Sequence, residues 1–180
     1  MKGIILSEFV EFLEESLGPD QAQTIIEKSG VQSQGAYSRV GQYDYQELIQ
    51  LLTQAVAETN MEAGELVQPF ADHLFTVFHR DYNVFFEGAE SAAHMLTQID
   101  DHIHVEVKKL YPDAELPKFE YSQEGDKLVL NYQSPRPLAA VAQALVGACL
   151  KFFGDKESLV SSQIAEDQCS AEFVIQTLPG

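Results

Sequence analysis

Residues 119–132 read FEYSQEGDKLVLNY, and their reading decides the fold class. Phe119 to Tyr121 and Lys127 to Tyr132 flank the run Gln123-Glu124-Gly125-Asp126, the composition of two strands joined by a tight turn. Before Pro112 the apolar spacing is helical, and beyond it strand-like segments predominate. The chain is therefore expected to be an α+β protein, with a helical N-terminal part packed with a small antiparallel sheet.

Outward from the hairpin, the upstream elements follow from periodicity. Ile4, Ile5, Phe9, Phe12, Leu13 and Leu17 recur at helical spacing until Gly18-Pro19. A short helix follows from Asp20 to Gly30, and residues 31–43 read as irregular. Asp44 with Glu47 resembles a capping box, opening a helix with the stripe Leu48, Leu51, Leu52, Ala55 and Val56 that Asn60 ends. Another helix is predicted over Glu62 to His79, with Leu66, Phe70, Leu74 and Phe78 on one face and Pro69 early in it or kinking it. One long helix is expected from Ser91 to Leu110. Downstream of the hairpin come a helix from Pro137 to Phe153 and strands near Ser158 to Ile164 and Ala171 to Leu178. With no repeat or long linker, residues 1–180 read as a single domain whose subregions divide near residue 60.

Composition narrows the function classes. Length and a 45% hydrophobic content suit one soluble domain able to enclose a cofactor-sized compartment. Acidic residues number 28 against 11 basic ones, and the net charge of −17 repels phosphate backbones and anionic membranes, so neither nucleic acid nor membrane is an expected partner. Glu8 and Glu11 interrupt any signal-peptide core, and the longest nearly apolar run, Leu138 to Leu150, falls short of the roughly 20 residues that span a bilayer. A cytoplasmic location is expected. Cys149 and Cys169 form no CxxC, so they read as thiols rather than a zinc or disulfide pair.

Three features stand out as candidates for chemistry. On the Ser91–Leu110 helix, His102 and His104 flank the stripe Met95, Ile99, Ile103, Val107 and Leu110 on opposite sides, and periodicity does not choose between them. Tyr132, Ser134 and Arg136 lie two apart in NYQSPRP, where alternation puts them on one face. Arg136, one of three arginines, offers a guanidinium for a carboxylate. The helix after Pro137 carries Ala139, Ala140, Ala142, Ala144, Gly147 and Ala148, which allow close approach of a flat ligand or simply a buried helix. Glu14-Glu15 and Asp100-Asp101 read as solvated faces. No GxSxG, HExxH, P-loop or GxGxxG occurs, so no enzyme is expected.

The opening MKGII, the segment IDDHIHVEVKKLYP and the motif YxSxR at Tyr132, Ser134 and Arg136 together resemble the H-NOX family, the haem domain of bacterial gas sensors and of the soluble guanylate cyclase β subunit. The resemblance spans essentially the whole chain. It implies a sensor, not an enzyme, and a haem-enclosing subregion over about residues 61–180. The iron ligand falls seven residues before Tyr111, at His104. Tyr132, Ser134 and Arg136 are implied to hold the propionates, and Pro117 to press on and bend the porphyrin. The implied distal lining is Ile5, Phe9, Leu74, Phe78, Val141 and Leu145. The cofactor is expected to be haem b, held non-covalently because CxxCH is absent. Val141 stands where oxygen-binding members carry a tyrosine, which implies NO and CO as gas ligands with oxygen discriminated against. The family's zinc ligands are not matched, since Ala139 and Cys169 stand alone. NO is implied to weaken the bond to His104, and a separate histidine kinase or cyclic-di-GMP enzyme is implied to receive the signal. The alternatives are a haem-free regulatory or adaptor domain and an oxygen-binding haem sensor, to which Tyr43 or Tyr82 reaching in as a donor would point.

Overall fold

The structure, a computed structural model, describes residues 1–154 and 156–177. The chain divides into two compact units, Met1–Leu74 and Phe75–Gly180, and the division falls within a helix.

The first unit holds α1 (Gly3–Leu17), α2 (Pro19–Ser29), α3 (Gln46–Thr59) and the first part of α4 (Ala63–Asp81). Gly18 at φ +87° ends α1 and Pro19 starts α2 at once, as a proline suits a helix's first turn. Phe9, Leu13, Ile25, Leu51 and Phe70 form the core, and each such side chain contributes about 1.5–3 kcal/mol on burial. The 31–43 segment is irregular, as expected, and is tied down by polar groups. Met1 and Tyr43 exchange backbone hydrogen bonds, and Gly3 donates to the Gly41 carbonyl at 2.9 Å. Glycine is required at position 3, where a Cβ would stand 1.9 Å from the Ser38 carbonyl oxygen. Glu8, 1% exposed, accepts from Arg39 of this segment and meets Nε2 of His73 on α4 at 3.0 Å.

The expected capping box forms only in half. Asp44 accepts from the Gln46 amide at 2.9 Å, but Glu47 does not turn back to it. Its buried carboxylate accepts instead from Ser33 Oγ at 3.0 Å and Tyr37 Oη at 2.7 Å. Two hydroxyl donors from the loop outcompete one backbone amide at the helix start.

The second unit contains the rest of α4, a 3₁₀ turn (Asn83–Phe85), α5 (Ala92–Thr97), a π turn (Ile99–Ile103), α6 (His104–Leu110), β1 (Lys118–Glu124), β2 (Lys127–Gln133), α7 (Ala139–Phe152), β3 (Glu157–Ile164) and β4 (Ser170–Thr177). Of the final predicted strand, Leu178 lies outside the described residues. The strands form one antiparallel sheet in the order β1-β2-β4-β3. A two-residue connection with Gly125 at φ +65° joins β1 to β2, the left-handed conformation such turns demand. Leu128, Leu130 and Tyr132 face Ile175, Phe173 and Ala171 across the β2–β4 pair, and all six are buried. α7 packs on β3 and β4, and α5 on β2. Glu157 is buried because its carboxylate accepts from the Ala93 amide at 2.9 Å, in the first turn of α5.

Candidate functional site

The single helix expected over Ser91–Leu110 is broken in three. The Gln98 carbonyl accepts from the His102 and Ile103 amides, both at 3.0 Å, and the second of these closes a five-residue turn. Inserting a residue shifts the helical phase, so the predicted stripe does not stay on one face. Met95 is buried, Ile99, Ile103 and Val107 are half-buried, and Leu110 is exposed. The two histidines separate as well: His102 is exposed, whereas the His104 side chain retains 17% of its exposure.

His104 does not stand alone. Its Nδ1 lies 2.7 Å from Oδ1 of Asp100, one turn back through the π segment. The other oxygen, Oδ2, accepts from the Phe119 amide at 3.0 Å, at the start of β1. Asp100 was expected on a solvated face; the widened turn swings it onto the imidazole instead. A carboxylate fixed at both oxygens makes Nδ1 the protonated nitrogen and leaves the Nε2 lone pair as the base. Burial pulls the His104 pKa below its ordinary 6.5 while Asp100 pushes it up, and burial prevails. The ring is therefore neutral at pH 7. The neighbouring Phe119 ring lies 6.0 Å from the imidazole and 5.3 Å from that of Tyr132. His104 and Pro117 also line one cleft of about 320 Å³, with Val105, Leu116, Lys108 and Lys118 around it.

Tyr132 is 3% exposed on β2, and burial raises its phenol pKa against the opposing effect of a hydrogen bond with Ser134. Ser134 Oγ in turn accepts from the Arg136 amide at 3.0 Å, so the three motif residues form one connected group across the C-terminal end of β2. The Ser134 amide is anchored on the Cys169 carbonyl at 2.8 Å. The Arg136 guanidinium engages Glu115: Nη2 donates to Oε2, and Nη1 makes a longer 3.5 Å contact to the backbone carbonyl.

The haem-NO-binding family matches residues 2–160 of this chain. The chain belongs to the H-NOX family. An Fe(II) unliganded H-NOX protein from K. algicida is 32% identical, with 100% of this chain and 98% of that one covered at a TM-score of 0.91. An H-NOX from Shewanella woodyi, solved in its Fe(II)CO state with IWP-051 bound, is also 32% identical, covering 99% and 95% of the two chains at a TM-score of 0.81. An Fe(II)NO H-NOX from S. oneidensis, at 23% identity, 99% and 100% coverage and a TM-score of 0.82, shares the fold. No curated protein matches.

H-NOX domains are haem-based gas sensors and are not catalytic by themselves. The residues of this H-NOX domain fit a haem. Among the described residues no group of three or more His, Cys, Asp or Glu is placed to hold a metal ion. The His104 imidazole, held at Nδ1 by Asp100, would offer Nε2 to iron, and the hydroxyl–hydroxyl–guanidinium group on the same unit would offer hydrogen bonds to carboxylates.

The six residues expected on the distal side are distributed over both units. Phe9 and Leu74 are buried in the first, where the Phe9 ring packs edge-on to Phe70 at 4.8 Å, and Ile5 is half-buried there. In the second unit Val141 and Leu145, one turn apart on α7, and Phe78 on α4 are half-buried. The Tyr43 and Tyr82 hydroxyls each make a hydrogen bond within their own unit. Tyr43 Oη accepts from the Ser38 amide at 2.8 Å, and Tyr82 Oη hydrogen-bonds Tyr111 Oη at 2.9 Å. Sequence reasoning passed over Asp100, although an acid four residues before a histidine on a helix is a readable pairing. It also passed over Glu115, for which no local pattern exists.

Among the described residues, no helix is long and apolar enough to cross a membrane.

Proposed function

We propose that this H-NOX domain holds haem b non-covalently through Nε2 of His104, takes NO in preference to oxygen, and passes the signal to a separate protein, a histidine kinase or a cyclic-di-GMP enzyme. The observation that supports the haem assignment is the Asp100 carboxylate bound at once to His104 Nδ1 and the Phe119 amide, which leaves the lone pair on the opposite ring nitrogen able to ligate a metal. Bound ferrous haem supplies the iron coordination position that a diatomic gas occupies.

The chain's own residues do the rest. Tyr132, Ser134 and Arg136 orient and neutralise the propionates in a strongly acidic protein. Pro117, which lines a cleft with His104, is the residue proposed to bend the porphyrin. The proposed distal lining of Ile5, Phe9, Leu74, Phe78, Val141 and Leu145 is apolar throughout, which supports discrimination against oxygen, whose bound form needs a hydrogen-bond donor. The signal would leave through the π turn and α6, since a change in what Nε2 holds is felt directly by Asp100 and, through it, by the start of β1.

The test is the absorption spectrum of the ferrous protein before and after NO and in air, for wild type and His104→Gly. A Soret band that shifts with NO, is indifferent to air and is lost or altered in the variant is expected. Protein that takes up no haem would mean an adaptor domain, and an oxygen-stable spectrum would mean an oxygen sensor.

A further inference from the structure

Arg136 is paired, through its guanidinium, with a carboxylate of this chain, Glu115. Its side chain is 12% exposed and its backbone is held by Ser134 Oγ and the Leu138 amide, whereas the Glu115 side chain is 70% exposed. Among the described residues the Glu115 carboxylate is bonded to Arg136 alone. The glutamate side chain is two methylenes and a carboxylate, and so is a haem propionate. A carboxylate already on a guanidinium occupies part of its donor set, and a second carboxylate brought to the same cation meets repulsion from the first.

From this asymmetry we propose that Glu115 is an internal copy of the propionate that occupies Arg136 in its place, and that its displacement sets the rates at which haem enters and leaves. The proposal rests on the haem reading given above. Arg136 is the fixed partner and Glu115 the exchangeable one, because an exposed carboxylate returns to water with little loss while the guanidinium stays where β2 and Ser134 put it. The residue lies on the 111–117 connection between α6 and β1, so it reaches Arg136 without belonging to the motif.

The experiment is transfer of haem from the loaded protein to excess apomyoglobin, together with the rate of haem uptake by the haem-free protein, for wild type, Glu115→Gln, Arg136→Gln and the double variant. Glu115→Gln is expected to lose haem about two- to fivefold more slowly and to take it up faster, the range of a surface ion pair. In the Arg136→Gln background the same change is expected to do nothing. Equal effects in both backgrounds would reduce Glu115 to a general field and overturn the proposal. Unchanged or faster loss in Glu115→Gln would overturn it too, because Glu115 would then support Arg136 instead of competing for it. Wild-type protein that binds no haem would sink the haem reading and this inference with it; normal uptake with unchanged rates sinks only the inference.

Discussion

Replacing Asp100 by Asn is the sharpest test of how His104 is prepared. The carboxylate accepts two hydrogen bonds on its two oxygens, from His104 Nδ1 at 2.7 Å and from the Phe119 amide at 3.0 Å. An Asn amide has one acceptor oxygen, so one of these donors must face an NH₂ group or water. A hydrogen bond to a charged group is worth roughly 1.5–3 kcal/mol. The Asp100 side chain is 29% exposed, so water takes up part of the loss and the lower end applies, about 1.5 kcal/mol. That corresponds to about tenfold in affinity for whatever Nε2 holds, the weaker end of the 10- to 100-fold that such supporting groups provide. Haem transfer to apomyoglobin is therefore expected to be about tenfold faster in Asp100→Asn. The melting temperature of the haem-free protein, measured in parallel, separates this effect from a general loss of stability. Asp101→Asn, at the exposed neighbour, is the control and should change neither quantity. If Asp100→Asn stays within twofold of wild type and indistinguishable from Asp101→Asn, the carboxylate does not prepare the imidazole and the argument fails.

Two further expectations concern the scaffold. Gly3→Ala puts a methyl 1.9 Å from the Ser38 carbonyl, and the forced shift should lower stability by about 2 kcal/mol, some 4–8 °C in melting temperature; an unchanged melt would show that the 31–43 segment yields freely. Cys149 is buried and its pKa is pushed up to about 12, chiefly by burial, so the folded protein keeps a proton that the unfolded chain releases above 9.0. Its contribution is complete below pH 9 and is lost as pH climbs toward about 12, roughly 1.4 kcal/mol at pH 10. Denaturant titrations at pH 8 and pH 10 should show Cys149→Ala losing less stability than wild type over that step, and an alkylating reagent at pH 8 should modify Cys169 alone in the native state. Equal pH slopes, or simultaneous labelling of both thiols, would contradict the burial argument.

Much of this chain is written locally. Helical spacing with Gly18-Pro19 and Asn60 as stops placed α1, α2 and α3 to within a few residues, because a helix is set by contacts three and four residues apart. The hairpin was legible for the same reason, since a two-residue turn with glycine fixes the register of both strands. The histidine was not legible from periodicity, which left His102 and His104 open, and the resemblance to a family supplied what spacing did not.

The sequence by itself determined most of the elements, the α+β class and the group Tyr132, Ser134 and Arg136 on one stretch of chain. Tertiary structure alone decided the partners of the charged residues: Asp100 with the amide of Phe119, 19 positions on; Arg136 with Glu115, 21 back; and Glu8 with His73, 65 apart. It also decided the π turn that separates the inward His104 from the exposed His102. The reason is one of range. Periodic burial is encoded every two or four residues, whereas a carboxylate takes whichever donor the completed fold brings within about 3 Å, and no local pattern records that choice.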